Sequence, residues 1–261
     1  MELGLAGKTA LITGGSKGIG FGCAEVLAEE GCTLHLAARD GAVLAGAVER
    51  LRAKGADAHG HAIDLSQQGA AARLLGDAGL PDILVNNAGA IPGGDVEAVD
   101  EARWRAAWDL KVFGYINLCR AAYAAMKDRD TGGVIVNVTG LAADKTDFDY
   151  IAGTAGNASL NAFTRALGSR SIEDGVRVLA VSPGAVATDR LIGLMRTRAE
   201  AEHGDPDRWQ SYLSGLPLGR AAHVREVADV VAFAASERAA YLSGIVITVD
   251  GGHGARASSF R

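Results

Sequence analysis

The chain has 261 residues, 48% of them hydrophobic, and a formal net charge of −5. That size and apolar content suffice for a substantial buried core, and the acidic balance, with no lysine or arginine run, argues against a nucleic-acid partner. No segment approaches the roughly 18 uninterrupted apolar residues of a membrane-spanning helix.

The N-terminal stretch "MELGLAGKTALITGG" has no basic region followed by an apolar run and a small-residue cleavage site. Cys23, Cys32 and Cys119 are too scattered for a disulfide framework or a metal-ligand spacing. The six histidines are dispersed, so no metal is implied. A soluble, cytoplasmic protein is the expectation.

Apolar, β-branched runs then follow in chain order: "TALIT" (9–13), "TLHLAA" (33–38), "AHGHAI" (58–63), "DILVNN" (82–87), "GVIVNVT" (133–139), "VRVLAVS" (176–182) and "IVITVD" (245–250). Alanine- and leucine-rich segments with helical spacing separate them. Strands apolar on both faces, alternating with helices, predict a parallel sheet covered on both sides. The expected fold is α/β, a single doubly wound Rossmann domain over 1–261 with about seven strands. Residues 188–216 are too long for a plain loop and carry helical spacing, which predicts a helical flap over the sheet's carboxyl edge. Leu191, Leu194, Met195, Trp209 and Tyr212 in it suit either an apolar ligand or ordinary packing.

The first strand leads into a glycine-rich turn with Gly14, Gly18 and Gly20, and then into a helix that stops at Gly31. Such a turn lets backbone pass close to a pyrophosphate, with helix N–H groups facing it. The spacing G-x-x-x-G-x-G after Thr13 resembles the short-chain dehydrogenase/reductase family. So do Asp64-Leu65, "NNAG" at 86–89, "PGAVAT" at 183–188, "PLGRAAHVREVADVVAFAAS" at 217–236 and "VDGG" at 249–252, so that the resemblance spans the whole chain.

The resemblance implies a dinucleotide cofactor. Gly14, Ser16, Lys17, Gly18, Ile19 and Gly20 would hold its phosphates, Asp64 and Leu65 the adenine, and Asn87, Ala88 and Gly89 the adjoining ribose. Pro183, Gly184, Val186 and Thr188 would hold the nicotinamide end, with Tyr150 and Thr154 near it. An NAD site places a carboxylate after the second strand to bind the ribose 2′-OH. Here Arg39 follows that strand, and Lys17 lies across from it. Two cations at this corner favour NADP(H) over NAD(H), because charge-assisted bonds to a 2′-phosphate are strong. The alternative is that both are simply solvated, with Asp40 pairing Arg39.

By the same resemblance, a tyrosine exchanges a proton with the substrate oxygen, and a lysine four residues on stabilises its anion. Tyr150 matches the tyrosine, but the lysine position is Thr154. The serine that would hold the substrate carbonyl falls on Gly140, beside Thr139, and Lys111 stands where an asparagine is expected. One reading relocates the cation: Lys111, or Lys145, stands beside Tyr150, and Thr139 or Thr154 supplies the hydroxyl. The other reading is a cofactor-binding sensor or regulatory subunit that has lost its chemistry. The implied partner is a small carbonyl or alcohol substrate, and the family's habit of pairing long helices implies a homo-oligomer, tetramer or dimer, through the apolar faces of 104–126 and 150–168.

Overall fold

In the computed structural model, which describes residues 2–256, seven strands hydrogen-bond side by side and all run parallel. They are β1 (Thr9–Thr13), β2 (Thr33–Ala38), β3 (Ala58–Ala62), β4 (Ile83–Asn86), β5 (Gly133–Val138), β6 (Val176–Pro183) and β7 (Val246–Val249), in the order β3-β2-β1-β4-β5-β6-β7. The chain begins in the middle, winds outward to β3, and crosses back to β4. That reversal opens a crevice beyond the carboxyl ends of β1 and β4, where ligands bind in sheets of this kind.

Alternation along each strand feeds two cores. From β1, Ala10 and Ile12 enter one core and Leu11 the other. The first core is covered by α1 (Gly18–Glu29), α2 (Gly41–Ala53) and α8 (Val224–Ala235). The second lies beneath α3 (Ala70–Ala78) and α5 (Gly114–Met126), with α6 (Ile151–Ser171) beside it on β6. Each fully buried leucine there, such as Leu34 or Leu84 at 0% exposure, contributes roughly 1.5–3 kcal/mol.

The helical stretch expected over 104–126 is interrupted. α4 (Glu101–Trp108) gives way to a π-helical turn, Asp109–Phe113, before α5 begins. Leu110, Lys111 and Val112 are all buried in that turn.

Residues 188–216 contain α7 (Asp189–His203) and a 3₁₀ segment, Pro206–Gly215. Glu202 ties the two together by accepting from Tyr212 Oη at 2.7 Å and Arg198 Nε at 2.7 Å. Cys23, Cys32 and Cys119 are free and buried. Among the described residues, no helix is long and apolar enough to cross a membrane, and no group of three or more His, Cys, Asp or Glu could hold a metal.

Candidate active site

The glycine turn between β1 and α1 is closed by Asn87. Thr13 Oγ1 accepts from the backbone N–H groups of Asn87 (2.9 Å) and Ala88 (3.0 Å), while Asn87 Nδ2 donates to the carbonyls of Thr13 (3.1 Å) and Gly14 (3.3 Å). A Cβ on Gly20 would sit 2.3 Å from Gly14 O and 2.4 Å from Asn87 Nδ2. The turn therefore needs a glycine at 20 for its own closure. Gly18 needs one because its φ is +56°. Ser16 is buried, Ile19 packs on the first core, and Lys17 is the exposed N-cap residue of α1. No acidic residue occupies the first turn of α1, so its N–H groups and dipole remain open to an anion.

At the end of β2, Asp40 does not pair with Arg39. Its carboxylate accepts from Ala42 N (3.0 Å) and Val43 N (3.1 Å), capping α2. Arg39 and Lys17 are both exposed, and neither belongs to a salt bridge among the described residues. Asp64 turns back on Ser66, accepting from its N–H (3.0 Å) and hydroxyl (2.8 Å), and Leu65 packs into the second core.

Residues 183–188 run out from the end of β6 toward the glycine turn. Pro183 ends the strand, and Gly184 N donates to Val249 O at 3.0 Å. A Cβ on Gly184 would lie 3.0 Å from Asp250 Cβ. Val186 is buried and bridges to Ala222. Thr188 caps α7, accepting from Leu191 N at 3.4 Å, and its Cγ2 would stand 3.5 Å from a Cβ on Gly18. The glycine turn and the 183–188 segment thus approach each other across the crevice, a cradle of backbone and glycine with room for an extended ligand to pass close to the main chain.

Tyr150 is the N-cap residue of α6, and its strand-like bridge to Gly94 holds the helix start. The phenol lies down on its own helix: a Cβ on Gly153 would be 2.1 Å from ring atoms Cε1 and Cζ. Burial pushes the Tyr150 pKa up, and the charge and hydrogen bonding of Arg190 pull against that rise. Arg190, in the first turn of α7, also donates from Nη1 to Gly89 O (3.2 Å) and from Nη2 to Ile91 O (2.5 Å).

The four polar groups expected around Tyr150 are elsewhere. Lys111 Nζ donates to Val138 O at 3.0 Å, beside Tyr115, whose hydroxyl donates to the same carbonyl at 3.1 Å. The lysine stem fills the space over Gly89, where a Cβ would meet Lys111 Cδ at 2.3 Å. Burial, with Arg190's charge adding, lowers the Lys111 pKa to about 7. The charge that bears on Tyr150 is that of Arg190, while Lys111 Nζ lies at the end of β5 on Val138 O. Lys145 is engaged with His253 Nε2 at 2.8 Å.

Thr139 is likewise corrected. Its side chain is buried just past the end of β5, and its hydroxyl is closed off from solvent with no hydrogen-bond partner among the described residues. Thr154 serves its own loop: Oγ1 accepts from Asp147 N (3.3 Å) and donates to Asp147 O (3.5 Å), tying down the segment before Tyr150. At Gly140 the space of a side chain is taken by Asn157, whose Nδ2 would lie 3.2 Å from a Cβ there. Asn157 Nδ2 donates to Gly153 O at 2.9 Å, and its Oδ1 has no partner.

Gly153, Asn157 and Arg190 carry no signal in the motifs. Gly153 alone had a local cue, since a glycine inside a helix costs about 1 kcal/mol against alanine and so needs a packing reason.

A family model described as Enoyl-(Acyl carrier protein) reductase matches residues 14–254. The chain is 32% identical to 2,3-dihydro-2,3-dihydroxybenzoate dehydrogenase of Bacillus subtilis over 95% of its own length and 97% of that protein. It is also 32% identical over 254 residues to galactitol 2-dehydrogenase (L-tagatose-forming) of Cereibacter sphaeroides, covering 95% of this chain and 96% of that protein. Among solved structures, L-sorbose reductase from Gluconobacter frateurii, complexed with NADPH and L-sorbose, superposes with a TM-score of 0.91 at 30% identity, over 98% of this chain and 100% of that one.

Proposed function

The chain belongs to the short-chain dehydrogenase/reductase family, oxidoreductases of carbonyl and alcohol groups, and from that premise we propose that it interconverts a carbonyl and an alcohol with NADP(H), Tyr150 exchanging the proton at the substrate oxygen. The observation that carries the proposal is the phenol of Tyr150. It is held at a helix start, partly buried, with the charge of Arg190 bearing on it. When bound, the nicotinamide supplies or accepts the hydride. Tyr150 then donates its proton to the developing alkoxide in reduction, or takes the alcohol's proton in oxidation. Lys111, a buried amine whose pKa burial lowers to about 7, holds the end of β5 through Val138 O.

The glycine turn from Gly14 to Gly20 would hold the pyrophosphate, Asp64 and Leu65 the adenine, and Asn87 to Gly89 the ribose. The 183–188 segment would hold the nicotinamide, with Tyr150 beside it. The preference for NADP(H) is supported by Arg39 and Lys17, which are exposed and form no salt bridge among the described residues, while Asp40 is committed to the cap of α2. Arg39→Ala should lower the ratio of NADPH to NADH affinity about tenfold or more; an unchanged ratio would overturn the assignment. Assembly into a homo-oligomer through the long helices belongs to the same proposal, and light scattering decides it.

One observation favours the second reading, a cofactor-binding sensor: Gly140 offers no hydroxyl, and that of Thr139 is sealed. The deciding experiment follows cofactor absorbance with NADPH and a panel of carbonyls, for the parent and Tyr150→Phe. Turnover by the parent that falls by at least about a hundredfold in Tyr150→Phe, with NADPH affinity retained, supports the enzyme. Tight NADPH binding without turnover on any carbonyl or alcohol supports the sensor.

A further inference from the structure

We infer that His253, which follows the last strand, is a positioning residue for the loop that leads into Tyr150: it clasps Lys145 as a hydrogen-bond acceptor, and the clasp holds only while its imidazole is neutral. The inference rests on the acid/base reading of Tyr150 above and adds to it a proton-sensitive support from the far end of the chain.

The loop needs support because it buries little. Residues 144–149 are all exposed, and a segment with few buried contacts opens at low cost. Its end is tied down by Thr154 on Asp147 and by Gly94 N, which donates to Asp149 O. Its start meets the segment after β7 at two points. Leu141 lies directly against Gly254, where a Cβ would come 2.8 Å from Leu141 Cδ1. Lys145 Nζ lies 2.8 Å from His253 Nε2 and 3.5 Å from His253 O.

The turn that presents His253 is fixed in advance. Asp250 Oδ1 accepts from Gly252 N (2.8 Å) and Oδ2 from Gly254 N (2.6 Å), while His253 N donates to Asp250 O (3.2 Å). Gly251 and Gly252 have φ of +62° and +80°, which glycine adopts without strain.

The direction of the bond between Lys145 and His253 follows from its chemistry. An ammonium has three donors and no acceptor, so Nε2 must offer its lone pair and the ring proton sits on Nδ1. Nδ1 is closed off from solvent without a partner among the described residues. A second proton on the ring removes the acceptor and sets two cations 2.8 Å apart. The surroundings favour the neutral ring: burial first, then Lys145 and Arg256, hold the His253 pKa below the usual histidine value, against the pull of Asp250. Arg220 and Glu226, which line the same cavity as His253, pair with each other at 2.7 Å. The clasp is therefore closed above the His253 midpoint and opens as pH falls through it.

Hydrogen exchange of the 141–149 backbone, corrected for the intrinsic pH dependence of exchange, reads the clasp without relying on turnover. It compares the parent, Lys145→Met and His253→Gln proteins between about pH 5 and 8. The parent should exchange about threefold faster or more at the acid end. Lys145→Met should exchange at the fast rate throughout. His253→Gln should exchange slowly throughout, because its amide oxygen stands near the place of Nε2 and accepts from Lys145 at every pH. Parent protection that does not change with pH, or Lys145→Met protected like the parent at the alkaline end, overturns the inference. Turnover of a carbonyl with NADPH should fall with acid in the parent and less in His253→Gln; identical pH profiles overturn the positioning role. If exchange follows the expected pattern while the parent turns over no carbonyl or alcohol, the clasp stands and the acid/base reading of Tyr150 falls.

Discussion

Replacing Lys111 with methionine removes a buried amine and keeps its unbranched stem. In the folded chain Lys111 is 9% exposed, and its pKa drops from the model-compound 10.5 to about 7, first from burial and second from the charge of Arg190. Between those two pH values the unfolded chain binds a proton that the folded chain does not, so stability rises with pH across the window and the full penalty applies below its lower end. At about 1.4 kcal/mol for each pH unit, the drop corresponds to a penalty of about 5 kcal/mol near neutrality and none well above pH 10. Methionine should leave no orphan behind, because Val138 O keeps the hydrogen bond from Tyr115 at 3.1 Å. Urea unfolding of parent and Lys111→Met at pH values from about 6 to 10 reads the difference. The variant should be the more stable protein by several kcal/mol at the acidic end, and its advantage should vanish as pH rises through the window. An advantage that is constant with pH, or a variant less stable than the parent at neutral pH, refutes the reasoning.

Gly20→Ala would force a Cβ to 2.3 Å from Gly14 O; it should cost roughly 1–3 kcal/mol in thermal unfolding and weaken NADPH binding measured by calorimetry. Asp40→Ala removes the cap of α2 and should lower stability by about 1 kcal/mol while leaving the ratio of NADPH to NADH affinity unchanged, since its carboxylate faces helix N–H groups rather than the ribose corner. Thr154→Val deletes the hydroxyl that ties Asp147 to α6; turnover should fall through displacement of the loop before Tyr150, with NADPH affinity unchanged, and protease cleavage near residues 144–149 should quicken.

Much of the fold was legible because its signals are local. "TALIT" followed by Gly14, Gly18 and Gly20 announces strand, turn and helix, and each of the seven apolar runs became a strand within a residue or two of its expected ends. The interruption at Asp109–Phe113 was not legible, since a π turn keeps the composition of the helix around it and differs only in the backbone hydrogen bonds it makes. At the site, spacing identified Tyr150 and the absence of a lysine at 154. It could not show where Lys111 points, because Val138, the strand end whose carbonyl it meets, lies 27 residues away in sequence.

By itself the sequence determined which backbone elements form, which residues are apolar on which face, and where glycine must stand, because those follow from short-range sterics and from the period of burial. Only the tertiary structure decided which charges meet. Lys111 donates to Val138 O, Asp40 caps α2 rather than pairing with Arg39, and Gly153 lets the phenol of Tyr150 lie against its own helix. Charges act through space over a few ångströms, and the distance that sets their strength is fixed only when segments far apart in the chain have packed.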